Sequence, residues 1–351
     1  MIQRLLLSAS LLLLGGCSAI GHWSQAAGGH LGITRAARPV ADWLADPATP
    51  TDLAERLRLS QQLRDYATAQ LALPDNNSYR RYADLHRPAA VWNVIAAPEF
   101  GFTLKTWCYP LMGCAGYQGW FNLDEAKKRA EALKAEGWEV QVQAIPAYST
   151  LGWSRLLGGD PLLNTFIRYP DGELAAMIFH ELAHQRVYVG DDTGFNEAYA
   201  SAVELIGARQ WLAARPEALA AFEAGRSRRA AFLKLAREGR LKLQAVYDGP
   251  AGQRAAAKAA VMAELRERAK TEAPGFEAWF QRANNANFAI LAAYDELVPA
   301  FVRLFEREGR DWAKFHAAVE ALKPLAREAR RANLRVQGDP HDADPAPSPP
   351  Q

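Results

Sequence analysis

The sequence predicts an α+β fold, on three observations. Up to about residue 170 the apolar pattern switches between the helical period and the alternation of a strand. From Gly172 to about Asn333 it is helical almost throughout, which gives a mixed front half and a helical back half. The 351 residues are 49% apolar, enough to fill the core of one large domain, and no internal repeat divides them.

The first residues, MIQRLLLSASLLLLGGC, place one charge, Arg4, ahead of an apolar run from Leu5 to Leu14, followed by small residues and Cys17. The run is too short to span a bilayer as a helix and has the zones of a secretory signal. Residues 1–16 are therefore expected to be a signal peptide, ahead of a folded domain over residues 17–335. Past the signal, helical periodicity begins at about Thr51, behind Pro50. AAVWNVIAAPEF reads as a strand that ends at Pro98. NLDEAKKRAEALKAEGWEVQVQAI follows as a helix with Asn122 and Glu125 in capping-box spacing, a stop at Gly137 and an alternating strand. LNTFIRY, ahead of Pro170, is a further candidate strand. Residues 336–351 are too rich in Pro and Asp to pack and are expected to be a disordered tail.

Lys and Arg number 41 against 39 Asp and Glu, a formal charge of +2, so no electrostatic footprint for nucleic acid exists. The basic cluster GRSRRAAFLKLAREGR includes an acid and reads as a solvated helix face. Besides Cys17 the chain has two cysteines, Cys108 and Cys114, in WCYPLMGCAGY. An exported chain meets an oxidising compartment, and Pro110 and Gly113 between the two suit a small disulfide-closed loop. A pair of buried thiols is the alternative. A metal site there lacks any further Cys or nearby His.

The chemistry concentrates in FHELAHQRVYVGDDTGFNEAYASAVE. His180 and His184, four apart on a helix, share one face, so both imidazoles can reach one ion. Glu181 between them is placed to take a proton from a water and pass it to a leaving amine. The plainer reading is a satisfied histidine pair on a core helix. A zinc site with two histidines needs a third donor, in hydrolases usually a carboxylate. Residue 190, where another zinc-protease pattern carries a histidine, is Gly. Glu197 supplies the carboxylate twelve residues after His184 if the chain turns through VGDDTG into a second helix near Phe195. Glu204, two helical turns on, shares its face and is suited to hydrogen-bond a ligand histidine. Asn196 and Asp192 are expected to support the ligands as well, Asp192 by orienting a histidine or by capping the second helix.

HELAHQ followed by FNEAYASAVE resembles the active-site segment of the gluzincins, particularly zinc aminopeptidases of the aminopeptidase N type, although the linker is shorter here. That resemblance implies one Zn²⁺ held by His180, His184 and Glu197, with Glu204 in support. A wider resemblance covers nearly the whole mature chain. LPDNNSYRRYADLHRPAAVWNVIAAPEF, WCYPLMGCAGYQGWF, AYSTLGW, the zinc segment and NNANFAILAAYDELVPAF together resemble the bacterial "putative aminopeptidase" lipoprotein family. It implies a zincin-like α+β domain, with a small mixed sheet beside the HExxH helix and downstream helices closing the cleft. LGGC resembles a lipobox, which implies lipidation at Cys17. Ser18 rather than Asp after it implies the outer membrane, facing the periplasm.

The expected function is a lipid-anchored zinc peptidase of the periplasm, an aminopeptidase in the first place, acting on peptide substrates. An endopeptidase, a cell-wall peptide hydrolase and a non-catalytic envelope lipoprotein are the alternatives. An aminopeptidase needs a carboxylate for the substrate ammonium, and Glu99 is the candidate by type, against a plain strand-end acid. Tyr148 and Tyr294 are candidates for stabilising an oxyanion, against packed tyrosines with bonded hydroxyls.

Overall fold

The computed structural model of the protein describes residues 25, 28–109, 113–147, 159–190, 192–291 and 297–337. The expected signal peptide, Cys17, Tyr148, Tyr294 and all but the first two residues of the expected tail lie outside the described residues. The architecture is mixed α+β, strands in the front half and helices behind them.

A helical stretch over residues 28–36 leads into strand β1 (Arg38–Pro39), helix α1 (Val40–Ala45) and helix α2 (Thr51–Leu71). Helix α2 starts behind Pro50, as its periodicity predicts, and ends at Ala72, which turns left-handed at φ 50°. Its inward face repeats at helical spacing through Leu53, Leu57, Ser60, Arg64, Ala67 and Leu71. Arg64 is fully buried, and its guanidinium donates to the carbonyls of Pro74, Asn76 and Ser78, so its charge orders the loop that follows.

Among the described residues the strands form three small sheets rather than one. Strand β2 (Arg81–Ala83) runs antiparallel to β1 and parallel to β8 (Leu162–Leu163), which makes this sheet the mixed one. The second sheet centres on β3 (Val91–Pro98), antiparallel to β6 (Gln118–Trp120) and to β7 (Trp138–Ile145). Helix α3 (Leu123–Ala135) covers one face of it: Ala126, Ala130 and Leu133 pack with Trp92, Val94, Ala96 and Val140. On the other face Ile95 and Ala97 meet Ala286 and Ala289 of a later helix. Burial on both faces explains why β3 is apolar at every position but Asn93. The Asn122 side chain caps α3 by accepting from the Asp124 and Glu125 backbone, and Gly137 takes φ 88° at the exit. Strands β4 (Trp107–Tyr109) and β5 (Gly113–Ala115) make a separate hairpin in which Cys108 faces Cys114, and the expected disulfide joins them.

LNTFIRY departs from its expected strand. Of its residues only Leu163 pairs in a ladder, beside Leu162 just ahead of it, and the chain then turns, with the Ile167 N–H donating to the Leu163 carbonyl. Asn164 decides this: its side chain accepts from Leu85 N–H and donates to the Arg87 carbonyl, taking the place of ladder bonds.

The back half holds helices α4 (Asp171–Arg186), α5 (Thr193–Leu212), α6 (Pro216–Asp248), α7 (Arg254–Glu272), α8 (Glu277–Arg282), α9 (Asn285–Leu291), α10 (Val298–Arg307), α11 (Trp312–Ala321) and α12 (Arg327–Gln337). Helix α4 packs chiefly against α5, α2 and α6, so its principal neighbours are helices; of the strands, β2, β8 and the start of β3 share its core. Gly207 permits the close α4–α5 contact, since a Cβ there would come within 2.7 Å of Leu71 and 3.0 Å of Phe179. Among the described residues no helix is long and apolar enough to cross a membrane.

Candidate metal centre

Helix α4 buries Leu174, Ala175, Ile178, Phe179, Leu182 and Ala183, and this apolar surround fixes the rotation of the helix about its axis. His180 and His184 then project one turn apart toward α5, which carries Glu197 in its first turns and Glu204 two turns later. Val187 ends α4 in extended conformation. The turn back into α5 is closed by Asn196, which accepts from Val189 N–H at 2.9 Å and donates to the Val189 carbonyl at 2.7 Å. Asp192 caps α5 through the Phe195 N–H at 3.2 Å, and Arg330 and Arg331 of α12 bind its buried carboxylate. Asn196 and Asp192 therefore fix the turn and do not touch the histidines; of the two roles open to Asp192, the structure takes the cap.

One atom from each of His180, His184 and Glu197 lies within 4.8 Å of the others. The separations are 3.1 Å between the two Nε2 atoms, 3.4 Å from His180 Nε2 to Glu197 and 3.6 Å from His184 Nε2 to Glu197. Two donors about 2.0–2.1 Å from one ion at a tetrahedral angle stand roughly 3.3–3.4 Å apart, so this donor set fits a single small divalent cation. The type fits as well: two imidazoles and a carboxylate are the two-histidine, one-acid set of hydrolytic zinc sites. His180 Nδ1 faces away from this point and bonds Glu204 at 2.9 Å, and Arg226 of α6 donates to the other Glu204 oxygen at 2.9 Å.

The titratable groups of the cluster shift one another. Burial pulls the His180 pKa down, but its bonds to Glu197 and Glu204 outweigh that and raise it well above the ordinary value. Burial and the neighbouring His180 push His184 to about 4. Burial raises the Glu197 and Glu204 carboxyls, yet the His180 bond and charge leave both below the ordinary range. Glu181 is half-buried beside His180, and its charge reaches both His180 and the buried phenol of Tyr79. Below α4, Gln185 accepts from the Asn76 side chain at 2.7 Å and donates to Ser78 Oγ at 3.1 Å, which ties the helix to the loop that Arg64 orders.

Glu99 is not brought to this cluster. It stands exposed at the end of β3, and its carbonyl accepts from Lys258 and Asn285. Three residues of the site were not anticipated. Arg226 lies within the basic cluster expected to be a solvated face. Tyr188 continues the 180–184 spacing by four residues, a signal open to inspection, and its ring meets His184 edge-on at 6.5 Å. Tyr117, between β5 and β6, feels the Glu197 charge and had no local signal.

The site thus brings two histidines and a glutamate together on a helix pair, with an acid beside them, a donor set able to hold a metal ion. The chain belongs to the family described as "Putative aminopeptidase", whose model matches residues 21–334, and that membership supports a peptidase function at a coarse level. No curated protein and no solved structure matches the chain.

Proposed function

We propose that the protein is a zinc-dependent peptidase, an aminopeptidase in the first place, lipid-anchored through Cys17 and acting in the periplasm. The single observation that carries the reading is the convergence of His180, His184 and Glu197 within 4.8 Å on two packed helices, with Glu181 alongside. Zinc bound there supplies Lewis-acid polarisation of the scissile carbonyl and lowers the pKa of the attacking water. The protein's own groups do the rest. Glu181 takes the proton from the water and delivers it to the leaving amine. Glu204, held by Arg226, fixes the ring of His180 so that Nε2 faces Glu197 and His184. Aminopeptidase ranks before endopeptidase because of the family, and the lipid anchor rests on the LGGC sequence ending at Cys17.

The test is zinc content and activity of the protein from Ser18, beside Glu181→Gln, on a panel of aminoacyl and N-blocked peptides. Zinc in both proteins, with release of N-terminal residues by the parent alone, supports the reading. Cleavage of blocked peptides moves it to endopeptidase. Zinc without peptide cleavage favours a cell-wall substrate or a binding role, and absence of zinc sinks the proposal.

A further inference from the structure

Four large apolar side chains stand well exposed among the described residues: Leu31, Tyr117, Tyr188 and Leu241. Singly exposed apolar groups are normal on a protein surface. Two of these four, however, come from different elements and neighbour the candidate metal centre. Tyr188, 39% exposed, sets its ring edge-on to His184 at 6.5 Å. Tyr117, 40% exposed, immediately precedes β6, and both phenols lie within electrostatic reach of the Glu197 carboxylate, as Tyr117 does of Tyr188.

Neither side chain hangs on a loose segment. Tyr117 stands between the hairpin stapled by Cys108–Cys114 and strand β6, where Gln118 pairs with Val94 of β3. The preceding Gly116 is pressed against Leu104, whose Cδ1 would lie 2.8 Å from an added Cβ. Tyr188 sits two residues beyond α4, next to Val189, which Asn196 grips through both its backbone groups. Two anchored, accessible aromatic faces beside a ligand carboxylate suit a flat or bulky apolar group. The acids of this network are Glu181, Glu197 and Glu204, and Glu204 is engaged by both His180 and Arg226.

We propose that Tyr117 and Tyr188 form an aromatic rim that receives an aromatic or bulky apolar side chain of the residue beside the scissile bond, and so set the substrate preference of this site. The proposal rests on the peptidase reading above.

The test compares Tyr117→Ala, Tyr188→Ala and the two Tyr→Phe variants, after circular dichroism and zinc content show each folded and loaded as the parent. The readout is the ratio of kcat/KM for phenylalanyl over alanyl peptides. Each alanine variant is expected to lower that ratio about tenfold through KM, and each phenylalanine variant to preserve it. An unchanged ratio in the alanine variants overturns the proposal. So does an equal fall in kcat on all peptides in the phenylalanine variants, which makes the hydroxyls, not the rings, the acting groups. Calorimetry of phenylalanyl and alanyl dipeptides on Glu181→Gln, with and without Tyr188→Ala, reads the preference without turnover. Tighter binding of the phenylalanyl peptide, lost with the tyrosine, supports the rim even if the parent cuts nothing and the peptidase reading fails. Equal binding of the two, or none, overturns it.

Discussion

Glu204 holds Nδ1 of His180 with one carboxylate oxygen and the guanidinium of Arg226 with the other, each at 2.9 Å. A carboxylate so clamped fixes the orientation of the imidazole and, when a cation takes Nε2, holds the remaining ring proton on Nδ1.

Zinc affinity should therefore depend on a residue that touches no ligand atom of the metal. Glu204→Gln is expected to weaken zinc binding roughly 10- to 100-fold, and Arg226→Leu about tenfold. Competition against a chelating dye at fixed pH measures both. Unchanged affinity in the two variants shows that the clamp plays no part in the site.

Glu181 should act on the chemistry and not on the metal. Glu181→Gln is expected to lower kcat by about 10²- to 10⁴-fold at unchanged zinc stoichiometry. Removal of the metal with a chelator should abolish parental activity, and added zinc should restore it.

Asp192 should matter to stability more than to binding. Its carboxylate is fully buried and bound by Arg330 and Arg331, so Asp192→Asn leaves two cations with a neutral partner. A cost of about 3 kcal/mol is expected in urea unfolding. Burial pushes its pKa up, but the Arg331 bond and the Phe195 N–H outweigh this and hold it below the ordinary carboxylate value. With the folded pKa depressed, the contribution is fully present above the unfolded pKa of about 3.9 and fades as the pH falls through the folded one. The variant should match the parent in strong acid and fall behind it at pH 5 and above.

His316 should confer a second, milder pH dependence. It is buried, accepts from the Tyr199 hydroxyl at 2.8 Å and donates to the Leu71 carbonyl at 2.8 Å, which keeps it neutral. Burial pushes its pKa down to about 4. The unfolded chain takes up this proton near pH 6.5 and the folded chain does not, so stability is lost as the pH falls between the two values. Between pH 7 and pH 5 about 2 kcal/mol should disappear, at up to about 1.4 kcal/mol per pH unit. His316→Gln should flatten that slope in denaturant unfolding, and an unaltered slope rules this residue out as its source.

The helices of the site were legible because their signals are local. His180 and His184 announce themselves by a spacing of one turn, and Glu197 by its place at the start of the next helical run. Helix α3 and strand β3 were equally plain, one from its cap and glycine stop, the other from an apolar run ended by proline. Arg226 and Tyr117 were not legible, since tertiary packing alone brings α6 and the β5–β6 connection to the ligands. LNTFIRY misled for a related reason: its β-formers were overruled by bonds from Asn164 to Leu85 and Arg87, some eighty residues earlier in the chain. Asp192 carried a true signal with two readings, and its partners on α12 decided between them.

Those partners lie 138 and 139 residues beyond Asp192. Synthesis runs from the N-terminus, so the turn joining the two ligand-bearing helices receives its last anchor only when the end of the fold has been made. A nascent chain, or one clipped at Ala326, carries both histidines and Glu197 but no α12 to clasp the turn. Synthesis of α12 and completion of the site are thereby coupled, and trimming that helix strikes at the candidate metal centre without touching any of its three converging side chains.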